Sequence, residues 1–76
     1  MYFERISIDP GVMLGKPCIK GTRITVELIL DKLAGGANVE WVLDAYPHIK
    51  REDILEALRY AKAVLANEEI IEATPA

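Results

Sequence analysis

The chain has 76 residues, 51% hydrophobic and 28% charged, with nine Lys and Arg against twelve Asp and Glu for a net charge of −3. A typical domain takes ~100–200 residues, so a second core is excluded, and a chain this short buries only about 60% of the surface its unfolded form exposes. A mean hydropathy of +0.15 excludes a disordered chain, and the acidic balance excludes a uniformly basic nucleic-acid binder while allowing clustered cations.

Residues 2–8 (YFERISI) predict a strand, with Ile6 and Ile8 on one face and Arg5 and Ser7 on the other. Asp9-Pro10-Gly11 ends it with turn chemistry. Gly11, Gly15, Pro17 and Gly21 then exclude a helix and predict an ordered loop. A short second strand at residues 22–24 is expected to pair with the first. Thr25 is a good helix N-cap, and Val26, Ile29, Leu30 and Leu33 follow at helical spacing until Gly35-Gly36 closes the element. Asn38 caps a short second helix in which Val39, Val42, Leu43 and Tyr46 share a face, and Pro47 stops it. A third helix is predicted over residues 51–67, with Ile54, Leu58, Ala61 and Leu65 as its inner stripe and Lys50, a poor cap, before it. The acidic tail, residues 68–76, either extends that helix or orders only on binding a partner.

These elements predict one mainly α domain with three parts. Residues 1–24 form a short N-terminal β segment and glycine-rich loop. Residues 25–67 form a three-helix core, and residues 68–76 form the tail. Two helices joined through Pro47-His48-Ile49-Lys50 suggest a helix-turn-helix, in which the later helix is the one offered to a DNA major groove.

Charge is segregated along the chain. Arg5, Lys16, Lys20 and Arg23 against Glu4 and Asp9 make residues 1–25 +2, and residues 26–48 are −3. Lys50, Arg51, Arg59 and Lys62 against Glu52, Asp53 and Glu56 make residues 49–67 +1, and the tail is −3. At about 100° per residue, Arg51, Leu55, Arg59 and Lys62 share a sector of roughly 80°. The candidate nucleic-acid contacts are therefore Lys16, Lys20, Arg23, Lys50, Arg51, Arg59 and Lys62. The competing explanation is that long cations flank any buried stripe because their stems cover apolar surface. Trp41 points about 150° away from the core face of its helix. Trp41, Ile70 and Ile71 are the candidate partner contacts, the alternative for Trp41 being burial against the N-terminal segment.

Other patterns carry no chemistry. Gly11 to Lys16 has three residues between its glycines where a phosphate-binding loop has four, and Pro17 stands where a Ser or Thr is needed. Asp44 and His48 are separated by the Pro47 break. Glu52 and Glu56 read as a solvated face. Cys18, the single cysteine, reads as a small buried apolar residue, with a reactive thiol as the alternative. No catalytic set, metal site or cofactor site is expected. One cysteine and one histidine suit a reducing cytoplasm, no apolar run nears the ~20 residues of a membrane span, and charge at residues 4–5 argues against a signal peptide.

The segment DPGVMLGKPCIKGTRI at residues 9–24 resembles the signature of a prokaryotic family of small proteins, domain-of-unknown-function family 433. Leu33 to Gly36, Tyr46-Pro47 and Arg51 to Ala61 are similar to its remaining blocks. The resemblance implies a homeodomain-like, trihelical helix-turn-helix fold preceded by a small β element. It also implies an antitoxin of a type II toxin–antitoxin pair, which would bind operator DNA as a dimer and sequester a PIN-like ribonuclease toxin. Lys50 departs from the Thr or Ser cap that the family pattern leads one to expect, and Trp41 from a polar residue. A protein-interaction module that binds no nucleic acid, and a ligand binder using the glycine-rich loop with Cys18, are the alternatives. Dimerisation is expected through the N-terminal strand, as an exposed edge, or through the Trp41 face.

Overall fold

The computed structural model describes residues 2–66 and 72–74. Strand β1 is Tyr2–Ser7, β2 is Cys18–Ile19 and β3 is Glu72–Thr74; helix α1 is Val26–Ala34, α2 is Val39–Ala45 and α3 is Arg51–Leu65. The sheet order is β2-β1-β3. β2 runs antiparallel to β1, with Ile19 opposite Ile6 and Cys18 opposite Ser7, and β3 runs parallel to it.

The three helices begin and end for the reasons their sequences suggest. The Thr25 hydroxyl accepts the Leu28 N–H at 3.0 Å, and Asn38 Oδ1 accepts the Trp41 N–H at 2.8 Å, each satisfying a first-turn donor that has no partner inside the helix. Beyond α1, Gly36 adopts φ +102°, a conformation that an L side chain resists. Gly21 does the same at φ +81° in the turn after β2.

The strand expected at residues 22–24 is displaced. The Ile19 N–H donates to the Ile24 carbonyl at 2.9 Å and the Thr22 N–H to the Ile19 carbonyl at 3.0 Å, so these residues fold back on β2 as a tight turn. Cys18–Ile19 takes the place beside β1. With β2 on one side and β3 on the other, β1 is the central strand of the sheet and not the exposed edge expected of it. The expected alternation also fails. Phe3, Ile6 and Ser7 are buried and Ile8 is 38% exposed. The pairing with β3 shifts register between Phe3 and Ser7, and an irregularity of this kind lets a strand change the parity of its inward residues.

The core joins the sheet to all three helices: Phe3, Ile6 and Ile19 meet Ile29, Val42, Ile49, Ile54, Ala57 and Ala63. Phe3 packs edge-to-face on Tyr60, with ring centroids 5.2 Å apart and planes at 79°. Each fully buried side chain of this size stabilises the fold by roughly 1.5–3 kcal/mol, so this shared layer holds β1 on α3. The α3 stripe is Ile54, Ala57, Tyr60 and Ala63, with Ala61 at its edge. Leu58 is at the exposed margin and Leu65 is 87% exposed. β1 covers the helix from the Asp53–Ala57–Tyr60 side, which turns Leu58 and Leu65 outward. Residues 72–74 of the tail form β3 rather than a helical extension. Ile70 and Ile71 lie outside the described residues.

Candidate nucleic-acid interface

The α2–turn–α3 unit is fixed from the inside. The Tyr46 N–H closes α2 on the Val42 carbonyl at 2.9 Å, and Ile49 is buried, which pins the reversal between Pro47 and Lys50 to the core. Lys50 is the N-cap of α3, and its side chain has no acceptor to give. Asp53 supplies the missing cap from three residues on: Oδ2 accepts the Lys50 N–H at 2.8 Å, one half of a capping box. Oδ1 of the same carboxylate accepts from Arg5 Nη1 at 3.0 Å. The Glu56 carboxylate accepts the Arg5 N–H, and the Glu56 side chain is only 12% exposed, so Glu56 belongs to a β1–α3 contact and not to a solvated face. Arg5 is raised above its ordinary pKa, first by its hydrogen bond to Asp53, against a smaller desolvation effect.

The sequence contained a signal for this contact. Asp53 and Glu56 are three residues apart, on the side of α3 that also holds Ala57 and Tyr60. Outward, α3 shows Arg51, Leu55, Leu58, Arg59, Lys62 and Leu65, all exposed. Arg51 Nη2 donates to Glu40 Oε1 of α2 at 2.7 Å, and Arg59 Nη2 lies 3.9 Å from Glu56 Oε1. Glu40 is held below the ordinary carboxylate range, first by the Arg51 hydrogen bond and then by its own backbone N–H. Exposed ion pairs like Arg51–Glu40 contribute little to stability, because water competes for both partners. Both outward guanidinium groups thus lie on exposed side chains, each already facing a carboxylate.

The loop cations separate into two places. Lys20 shares a polar hollow with Glu4, Arg5 and Asp53, beside the start of α3, and is exposed there. Lys16 is drawn to α1, with Nζ 3.2 Å from Glu27 Oε1. Arg23 is exposed in the turn after β2. Lys20 thus lies beside Asp53 on the β1 side of the α3 start, Lys50 and Arg51 are at the helix start itself, and Lys16 is elsewhere. Trp41 is 49% exposed and flanks a shallow hollow with Asp31, Lys32 and the Gly35–Gly36 turn, not the N-terminal segment.

Among the described residues no group of three His, Cys, Asp or Glu is placed to hold a metal ion, and no helix is long and apolar enough to cross a membrane. Cys18 is buried and donates to the Lys16 carbonyl at 3.3 Å; burial pushes its thiol up, against a weaker pull from Arg23. No residue pattern foretells that Leu14 is 94% exposed with a left-handed backbone, or that an apolar groove opens between α1 and α3.

Residues 6–61 match the family model described as "Protein of unknown function (DUF433)". The chain is 35% identical over 60 residues to the uncharacterized protein y4eO of Sinorhizobium fredii (strain NBRC 101917 / NGR234), covering 79% of this chain and 27% of that protein. It also superposes on the crystal structure of a DUF433 member protein from Anabaena variabilis ATCC 29413. The TM-score is 0.79 at 31% identity, covering 84% of this chain and 63% of that one. The chain therefore spans about a quarter of its curated relative and less than two thirds of its solved relative.

Proposed function

The chain belongs to the DUF433 family of proteins of unknown function, and from the surface of α3 we propose that it acts by binding DNA through its helix-turn-helix, as the antitoxin and transcriptional regulator of a type II pair. Its protein partner on this reading is a PIN-like ribonuclease toxin, neutralised by stoichiometric binding in the cytoplasm, and the chain itself catalyses no reaction. The observation that carries the reading is the outward face of α3. Arg51, Arg59 and Lys62 are exposed in one sector, with Lys50 at the helix start. In a helix-turn-helix the first residues of the second helix meet base edges, and cations further along meet phosphates. Lys50 and Arg51 suit the first role, and Arg59 and Lys62 the second. With a net charge of −3, affinity rests on these few contacts and falls steeply with salt.

The test is fluorescence anisotropy with duplex DNA from upstream of the gene, from about 50 to 200 mM salt. Binding is expected at low salt, and Arg59→Ala or Lys62→Ala is expected to weaken it and to reduce the salt slope by about one each. A flat titration at low salt overturns the reading.

A second reading is favoured by a different observation. Leu55, Leu58 and Leu65 lie on the same exposed face as the cations. A leucine-and-cation face also suits an acidic amphipathic protein segment laid along the helix, in which case the helix-turn-helix is a scaffold for protein contact alone. Binding to a purified toxin that survives high salt, with no DNA binding at any salt, selects this second reading.

A further inference from the structure

Trp41 is the single tryptophan of the chain, and it stands half exposed on α2. It borders a hollow of about 540 Å³ that is otherwise lined by Asp31, Lys32, Gly35, Gly36 and Ala37, where α1 ends. Hydrogen bonds fix both sides of this hollow. The carbonyls of Asp31, Lys32 and Leu33 accept the N–H groups of Gly35, Ala37 and Gly36 at 3.0, 3.0 and 3.1 Å, and Asn38 Oδ1 holds the Trp41 N–H. Gly35 and Gly36 put no side chain into the space.

The charges around it suit a cation. A helix C-terminus carries about −0.5 of an elementary charge, and the end of α1 forms one wall. The face of an indole ring is negative too. Asp31 is exposed, and so is Asp44, which lies three residues on from Trp41 and so beside it on α2. Among the described residues the ion pairs engage Glu27, Glu40, Asp53 and Glu56, and neither Asp31 nor Asp44. Lys32, half-buried at the same hollow, is the opposing charge. Two carboxylates and a helix end outweigh it, so the local field is negative.

We infer that this hollow docks an arginine side chain from a basic segment of a partner protein. The guanidinium stacks on the Trp41 indole and pairs with the Asp31 carboxylate, with its stem over the Gly35–Gly36 turn. Arginine suits the site better than lysine, because its planar cation both stacks on an aromatic face and forks onto a carboxylate. A nucleic acid suits it poorly: a base would stack on the indole, but its phosphates would meet Asp31, Asp44 and the negative helix end. Binding energy at protein contacts concentrates on tryptophan and arginine, which here come one from each side. None of Lys50, Arg51, Arg59 and Lys62 lines the hollow, so the inference stands apart from the DNA reading.

Because Trp41 is the single tryptophan, its indole N–H resonance and its fluorescence report on the hollow alone. The probes are tetra-arginine, tetra-lysine and tetra-glutamate peptides, titrated into the isotope-labelled full chain at ~150 mM salt. Tetra-arginine is expected to shift the indole resonance and to bind about two- to fivefold tighter than tetra-lysine. By calorimetry, Trp41→Leu is expected to abolish that preference. Asp31→Asn, which keeps the shape of the side chain, is expected to weaken both cationic peptides, and Lys32→Gln to tighten them. An indole unmoved by tetra-arginine at ~1 mM overturns the inference. So does equal affinity for the arginine and lysine peptides, or an indole shifted by tetra-glutamate or by duplex DNA.

Discussion

Arg5 Nη1 donates to Asp53 Oδ1 at 3.0 Å, while the other oxygen of the same carboxylate accepts the Lys50 N–H. One side chain thus starts α3 and ties that start to the central strand. The outward face of the helix is set by a contact on its inward side.

Removing that carboxylate tests the arrangement. Asp53→Ala takes away the side-chain cap at the start of α3, at a cost of about 1–2 kcal/mol. Arg5→Ala leaves the cap in place and is expected to cost less, because the guanidinium is a third exposed and water replaces its partner. Urea unfolding of the two variants checks the order. If Arg5→Ala proves the more damaging, the strand tie outweighs the cap.

The caps of α1 and α2 make a second test. Thr25→Ala and Asn38→Ala should each cost about 1 kcal/mol, but with different local effects. α2 has only seven residues, too few to persist without its cap and its packing. Hydrogen exchange is expected to speed up selectively at residues 42–46 in Asn38→Ala, whereas Thr25→Ala lowers protection across the whole core.

These helix ends were legible in the sequence because they depend on local chemistry: a hydroxyl or amide before an apolar repeat, a glycine pair, a proline. The three-helix order and its β prelude were legible for the same reason. What was not legible depends on contacts far apart in the chain. Ile8 is exposed and Ser7 buried because β3 pairs with β1 from some 70 positions away with a shift in register. Leu58 and Leu65 point outward because β1 covers the other side of α3. Glu56 looks like surface charge until Arg5 arrives from 51 residues away. Among the interface candidates, spacing alone grouped Arg51, Arg59 and Lys62. It could not place Lys20 beside Asp53 or divert Lys16 to Glu27, since both depend on how the glycine-rich loop folds.

Cys18 offers a chemical test of the core. Its side chain is almost fully buried, and burial raises the thiol above its ordinary 9.0, which keeps it protonated and poorly nucleophilic at neutral pH. A neutral disulfide reagent should therefore react only through unfolding, at a rate that climbs with urea. A thiol whose folded pKa is raised releases its proton more readily in the unfolded chain. Its contribution to stability is full below pH 9.0 and is lost as pH rises beyond it. Fast, urea-independent labelling at pH 7 would restore the reading of Cys18 as a reactive group.

Glu40 gives the sharpest test of the nucleic-acid reading. Its carboxylate holds Arg51 at 2.7 Å and is held below its ordinary 4.5 in return. A group whose folded pKa is depressed stabilises the fold above its unfolded pKa, and that contribution fades as pH falls through the folded value. At neutral pH the pair is intact, and Glu40 both occupies Arg51 and repels phosphate. If α3 meets DNA at its start, Glu40→Gln should tighten binding several-fold at low salt and steepen the salt slope by about one. Arg51→Ala should do the reverse, and the double variant should behave like Arg51→Ala, because Glu40 acts on DNA chiefly through that guanidinium. If DNA is instead held only by Lys16 and Arg23, Glu40→Gln leaves affinity and slope unchanged, and α3 loses its claim to be the reading helix.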